Sequence, residues 1–388
     1  MRLLPLVLAH AAHHRGRTLL LVGCVAVAMV VPLLSRVLVA RFEANLHARA
    51  DTVPLVVGAK GSRFDLVFAA LYFREADLAA TPHRVYASLV ADEQATAIPV
   101  HAEFAAEGVP VVATSIEYLQ ARGLRIAEGR AFARIGEVVL GADAAARLGV
   151  APGGSVFSDQ REAYDITSPP SVKLDVAGVL APTGGVDDGV ILADLETAWV
   201  LEGIAHGHAE AESIDREDLV LGATEDHVAL SGAVSTYQEI TDETAASFHV
   251  HGPRDNLPLT AVLVYPRDDK ARTILASRLN ATPDLQAVRP SRVIDDLVAF
   301  VVRLRQIFDA LAVLLAASTA ALIVLIGVLS YRLRADEIRT LTDIGCGRAT
   351  VGLLFGLELA FVLLAAAVLA GVLALAVVSV VAGVTPYL

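Results

Sequence analysis

Apolar positions along this chain fall into two regimes. Three runs are long and nearly free of charge, while the stretch between the first and second alternates short apolar pieces with polar ones. The first run, Thr18 to Ser35, holds 18 uncharged residues and continues past Arg36 through Val37–Ala40. The second opens with an amphipathic Val293–Phe308, with Ser291 placed as its N-cap, and passes into the uncharged stretch Ala310–Ser330. The third, Leu359 to Thr385, is uncharged over 27 residues, about 40 Å of helix. Roughly 20 apolar residues cross the hydrocarbon of a bilayer. The pattern therefore predicts three transmembrane helices, over 18–40, 300–330 and 351–385, the second continued by a stalk. A cleaved signal peptide is the rival reading of the first run, but its apolar part is too long and Val37–Phe42 offers a poor cleavage site. Pro32 is expected to bend the outer end of that helix.

Residues 41–299 contain no span-length run and form the expected external domain. Strands are predicted at Val53–Val57, Val85–Leu89, Ile98–Phe104, Val109–Thr114, Val138–Leu140, Lys173–Leu180, Val190–Ala193 and Leu259–Tyr265. Helices are predicted at Ile116–Arg122, Ala142–Leu148, Leu195–Leu201 and Asp269–Leu279. The mixture is α+β, arranged as two small lobes. The acidic, histidine-bearing segment Glu202–Asp226 reads as a loop.

Between the second and third runs lies a short arginine-rich stretch, 331–350. It carries Arg332, Arg334, Arg339 and Arg348 interleaved with Asp336, Glu337 and Asp343. The N-terminal segment 1–17 carries Arg2, Arg15 and Arg17 and no acid. Arginine in short flanks marks the cytoplasmic side, so both belong inside and the domain 41–299 outside, with the tail 386–388 outside as well. Within the loop, Leu333, Ile338, Leu341 and Ile344 fall on one helical arc of about 140°. Gly345 is placed as the C-cap. A solvated loop has no need of an apolar stripe, so a partner is expected to dock there; a juxtamembrane amphipathic helix resting on lipid headgroups is the competing reading.

Here the chain resembles a known family. The segment Glu337–Leu359 looks like the piece that follows the second span in MacB-type and FtsX-type ABC permeases. The matching positions are Glu337–Ile338, Ile344–Gly345, Arg348 and Glu358. Asp343–Cys346 departs from the plainer Ala-Leu-Gly-Ala of many relatives. The middle region resembles the same family's external domain, through Gly129–Arg130–Phe132, Val139–Gly141, Leu148–Gly149, Val176–Leu180 and Asp187–Asp188 to Thr197–Ala198. Val56–Phe73 is similar to a branch that lacks a fused ATPase. The resemblance implies porter-like and sabre-like lobes and a homodimer in the bacterial inner membrane. It implies a separate cytoplasmic ABC ATPase that uses ATP and magnesium, and a periplasmic adaptor or binding protein as a further partner. It casts Leu333, Arg334, Glu337, Ile338, Arg339, Leu341, Asp343, Ile344 and Arg348 as the ATPase-coupling element. Relatives usually carry three spans after the external domain, whereas this chain shows two.

Composition agrees with a membrane chain that has a large wet portion. It is 55% hydrophobic with a mean hydropathy of +0.58, yet its net charge is −12. The acidic balance argues against a nucleic-acid partner. The two cysteines, Cys24 and Cys346, leave the middle region without any disulfide framework. No Walker A motif is present: Gly58–Ser62 lacks the spacing that cradles phosphates and reads as a turn after a strand. ATP hydrolysis is therefore expected in a partner, and this chain is not expected to be an enzyme. Glu358 lies about one turn inside the third span, where a carboxylate is costly; it is read either as a link to Arg348 or as a snorkelling structural residue. His206 and His208, with His249 and His251, form two H-x-H pairs beside Glu210 and Glu212. Imidazole with carboxylate suits zinc, and a solvated loop is the competing reading. Two functional classes follow: an export or substrate-handling permease, and an FtsX-like regulatory subunit that activates an external partner. A secondary transporter is disfavoured, since three spans without repeats give no midplane site.

Overall fold

The computed structural model describes residues 3–159, 171–206, 220–224, 227–230, 238–241, 248–250, 252–333, 335, 339–340, 343 and 347–384. The chain divides into two compact units, Met1–Leu46 with Asp295–Pro386, and His47–Ile294.

The first unit is helical. Helix α1 is Leu3–His13 and α2 is Arg15–Ala50, with Pro32 inside it. Three helices, α2, α9 (Pro290–Leu333) and α10 (Arg348–Val384), are long and apolar enough to cross a membrane. Val22, Val25 and Ala26 of α2 cluster with Val362, Ala366 and Ala370 of α10. The α10 residues recur every fourth position, one face of a helix, and the alanines let the two backbones approach closely. Elsewhere Leu19, Val313 and Leu364 remain about seven-tenths exposed, the surface that lipid suits.

The second unit is built on one 11-stranded sheet. Its strands are β1 (Leu55–Ala59), β2 (Ala95–Ala106), β3 (Val109–Thr114), β4 (Ile126–Gly129), β5 (Glu137–Leu140), β6 (Ser155–Phe157), β7 (Val172–Leu180), β8 (Ile191–Asp194), β9 (Gln238–Glu239), β10 (Ala261–Pro266) and β11 (Leu285–Val288). The spatial order is β9-β7-β5-β8-β3-β2-β10-β1-β11, with β4 and β6 also paired to β7. The two lobes expected from the sequence share this single ladder: β3 and β8 join them in parallel, Val111 opposite Ile191 and Thr114 opposite Asp194. Along β7 burial alternates, Val172, Leu174 and Val176 facing in, as one covered sheet face requires. The core gathers Leu55, Leu140, Ile191 and Trp199.

Short helices cover the sheet. They are α3 (Arg63–Tyr72), α4 (His83–Val90), α5 (Glu117–Ala121), α6 (Ala142–Leu148), α7 (Leu195–Leu201) and α8 (Asp269–Asn280). Residues 85–89, expected as a strand, are instead the middle of α4. Val85 and Leu89 are its buried positions, one helical turn apart, so the spacing of four outweighs the β-branched and aromatic composition. Helix α3 was not expected either. Ser62 caps it by accepting from the Asp65 amide at 3.2 Å, and Phe73 closes it in the left-handed region at φ 54°.

Candidate functional site

The last turn of α2 belongs to the α+β unit and delivers a cation into its interior. Arg49 is one of two basic residues in that turn, where the helix dipole favours positive charge. It is 5% exposed. Its Nη1 donates to Asp187 Oδ2 at 2.6 Å and its Nη2 to Asp187 Oδ1 at 3.1 Å, a two-pronged match of guanidinium to carboxylate. The same Nη2 donates to the Tyr118 hydroxyl at 2.9 Å, and that hydroxyl donates to Asp187 Oδ1 at 2.6 Å. Arg122 stands 3.7 Å from Asp187, and the Arg49 guanidinium lies 4.9 Å from the centre of the Phe73 ring.

The elements that place these groups are short and specific. Asp187 sits in the 3-10 turn Val186–Gly189, Tyr118 in α5 and Phe73 at the end of α3. Asp188, the next residue, turns the other way and accepts from the Thr183 and Gly184 amides at 2.9 and 2.6 Å. The two aspartates thus close one loop around one arginine. Burial raises the cost of the Asp187 carboxylate, but Arg49, Tyr118 and Arg122 outweigh it and hold its pKa below the usual carboxylate range. Burial likewise opposes the Arg49 charge, and Tyr118 with Asp187 over-compensates, so its pKa moves up. Burial pushes Tyr118 up as well, and takes Tyr72 up to about 12. At neutral pH the trio is a charged pair with a neutral phenol, joined through both terminal nitrogens of Arg49 where water does not reach, while its buried Nε has no hydrogen-bond partner. Chemically this is a clamp: it has no free nucleophile and no base near neutrality.

Residues matched to the family motifs mostly turn out to hold loops together. Arg130 grips Glu137 with both prongs, at 2.6 and 2.5 Å, and Arg134 adds a third contact at 2.8 Å. Gly129 has φ 75°, and a Cβ there would stand 2.2 Å from the Ala177 carbonyl oxygen, so only glycine lets β4 close on β7.

Of the coupling residues, Arg339 and Asp343 are helical and exposed. Leu333 ends α9 and Arg348 begins α10. Arg334, Glu337, Ile338, Leu341 and Ile344 lie outside the described residues. Glu358 accepts from Arg17 Nη2, a residue of α2. Among the histidines, His206 and His249 are directly opposed in an antiparallel strand pair, while His208 and His251 lie outside the described residues. Two opposed histidines are half of the four ligands that a structural zinc takes, and no group of three or more metal-ligating side chains converges among the described residues. Arg49 escaped the sequence reading because its partner is 138 residues away; the one visible trace was a basic residue just past a long apolar run.

No family model matches the chain, and no curated protein matches it. Among solved structures it is similar to the periplasmic region of MacB from Actinobacillus actinomycetemcomitans. There the TM-score is 0.37 at 11% identity, covering 64% of this chain and 94% of that one. It is also similar to the extracellular domain of the noncanonic ABC-type transporter YknZ from Gram-positive bacteria, with a TM-score of 0.34 at 10% identity, covering 60% of this chain and 98% of that one. At these scores neither structure fixes the fold or the role of this chain.

Proposed function

We propose that the chain is the membrane subunit of a MacB/FtsX-type ABC system, in which separate cytoplasmic ATPase subunits drive a change that is passed to the α+β unit outside the membrane. The observation that carries this reading is the order of parts. An apolar helix leads directly into a folded unit of His47–Ile294, and two further apolar helices follow it, with an arginine-rich segment between them. The loop motifs that resemble the family stand within that frame.

In this reading the protein works as a homodimer and is not itself an enzyme. The ATPase subunits bind ATP with magnesium. Closure of those subunits pushes on the coupling segment 331–350, and the long helices carry the displacement outward. The α+β unit receives it through covalent continuity with α2, whose last turn is clamped by Asp187 and Tyr118. A buried two-pronged pair yields little before it breaks, so a push on that turn moves the 183–188 loop with it.

The test is Ile338→Asp in the full chain co-reconstituted with its ATPase. Burying an isoleucine in a partner groove contributes on the order of 1.5–3 kcal/mol, so the charge should abolish stimulation of ATP hydrolysis while the chain still inserts. A reporter active only outside the cytoplasm should be active when fused at Gly154 and silent in the 336–343 loop. Normal stimulation by the variant would remove the coupling role, and an active reporter in the loop would invert the topology.

A further inference from the structure

A cavity of about 360 Å³ opens within the α+β unit, away from the Arg49 clamp. Three rings border it: His83, Tyr86 and Trp199. His83 meets Trp199 edge-on at 5.6 Å and Tyr86 at 5.4 Å between centroids. Trp199 is fixed by its Nε1–H, which donates to the Pro258 carbonyl at 3.1 Å. The remaining wall carries four charges, from Arg134, Asp194, Glu196 and Arg254.

The charges are not equally available. Arg254 donates to Glu196 at 2.5 Å, and Arg134 lies 2.8 Å from Glu137. Both cations are thus already answered by carboxylates. Asp194 accepts from the Glu196 amide at 2.8 Å, and no basic side chain forms an ion pair with it among the described residues. Burial raises its pKa and Glu196 adds to the rise, although backbone amides and the charge of Arg254 oppose both. A cation beside it would relieve that cost. Two further polar atoms have no partner at all and are closed to solvent: His83 Nδ1 and Ser115 Oγ. Such orphans are costly and rare. Burial, with Arg254 nearby, lowers the His83 pKa, so the ring is neutral; with its proton on Nε2, Nδ1 offers a lone pair. The cavity is therefore lined by residues that carry a carboxylate, an unpartnered hydroxyl and an unpartnered imidazole acceptor beside aromatic rings.

We propose that this cavity is a binding site for a small primary amine, its ammonium held by Asp194, Ser115 and His83 and its apolar body lying against Trp199 and Tyr86. An ammonium has three donors for those three acceptors and is attracted by ring faces. An anion would meet two arginines whose charge Glu196 and Glu137 already offset. The net charge of −12 favours a cation further.

Trp199 is the only tryptophan in the chain, so all tryptophan emission from the whole chain in detergent arises at the wall of this cavity. 2-Phenylethylamine serves as the probe, with 2-phenylethanol and 3-phenylpropionate as controls of similar shape. The expected result is a saturable change in tryptophan emission with the amine at or below about 10 mM, and none with the alcohol or the acid over the same range. Asp194→Asn should weaken amine binding by roughly tenfold or more. Asparagine also caps helices well, so that variant keeps the fold, and unchanged thermal unfolding will confirm it. Ser115→Ala, a smaller change, should weaken binding by about threefold to tenfold. The proposal is overturned by no saturable response to the amine, by an equal response to the acid, or by Asp194→Asn binding as the parent does.

Discussion

A Cβ on Gly141 would stand 2.3 Å from the carbonyl oxygen of Asp187. The backbone between β5 and α6 is thus pressed against the turn that carries the carboxylate of the clamp, and the Asp188 carbonyl lies equally near. Real Cβ atoms do not approach oxygen so closely, so any side chain here must move the 186–189 turn. Gly141→Ala should destabilise the α+β unit by about 2–4 kcal/mol and loosen the hold on Arg49. Urea unfolding followed by Trp199 fluorescence measures the first effect; a parent-like midpoint would show that the turn yields without cost.

Breaking the clamp itself has a characteristic signature. Arg49→Ala leaves Asp187 charged and buried, which costs about 3–5 kcal/mol. The pair Arg49→Met with Asp187→Leu removes both charges and should recover most of that loss. The double variant separates stability from coupling: it folds, but α2 is no longer tied by a stiff ionic contact. ATPase stimulation in the reconstituted complex should then fall although the unfolding midpoint returns close to that of the parent. Equal stimulation by parent and double variant would reduce the clamp to a packing element.

Acid should expose Glu137. Its side chain is 3% exposed, and the hydrogen bond from Arg130 outweighs burial to hold its pKa down to about 2 from 4.5. A depressed carboxylate contributes stability that is complete above the unfolded pKa and is lost as pH falls through the folded one. The loss therefore runs from about pH 4.5 down to about pH 2 and amounts to about 3 kcal/mol. Asp187, also depressed, adds to it in the same direction. Glu137→Gln should flatten the part of the stability–pH curve that Glu137 supplies, while lowering stability at neutral pH. An unchanged acid slope in that variant would assign the whole effect to other carboxylates.

The ion pair of Arg17 with Glu358 joins two apolar helices, with side chains 29% and 17% exposed. Glu358→Ala removes a carboxylate that answers Arg17 and should lower the yield of folded protein on size exclusion in detergent. Exchange of the two residues, Arg17→Glu with Glu358→Arg, should restore the yield of folded protein on size exclusion in detergent. Failure of the exchange alongside failure of the single change would mean that local geometry, rather than charge pairing, is what the site demands.

What could be read from the chain alone follows a physical line. Apolar runs such as Leu359–Thr385 announce themselves, because length and the absence of charge suffice. Strand β7 was legible through the alternation of Val172, Leu174 and Val176 with polar neighbours. Helix α4 was not, since His83–Val90 is only two turns long and its composition suits a strand; only the core it covers decides. The clamp and the amine cavity were illegible for another reason. Arg49 with Asp187, and His83 with Asp194 and Ser115, are brought together by β1, β3, β8 and the loops around them, at separations no local pattern encodes. Asp187–Asp188 was noticed as a motif, but that one carboxylate takes Arg49 and the other the Thr183 and Gly184 amides is a property of the turn.

The sheet also sets a timetable. Strand β1, made before the other strands of its sheet, pairs among the described residues with β10 and β11: Leu55 lies opposite Val264, and Val56 opposite Val288. Its partners are made some two hundred residues later, which at about 5–20 residues per second is a wait of roughly 10–40 s. Through that interval Leu55, Val56 and Val57, all fully buried at the end, have no strand to meet. The first strand is thus a lock that only the last piece of the unit can close, and a chain cut short before residue 261 would display it as an open edge.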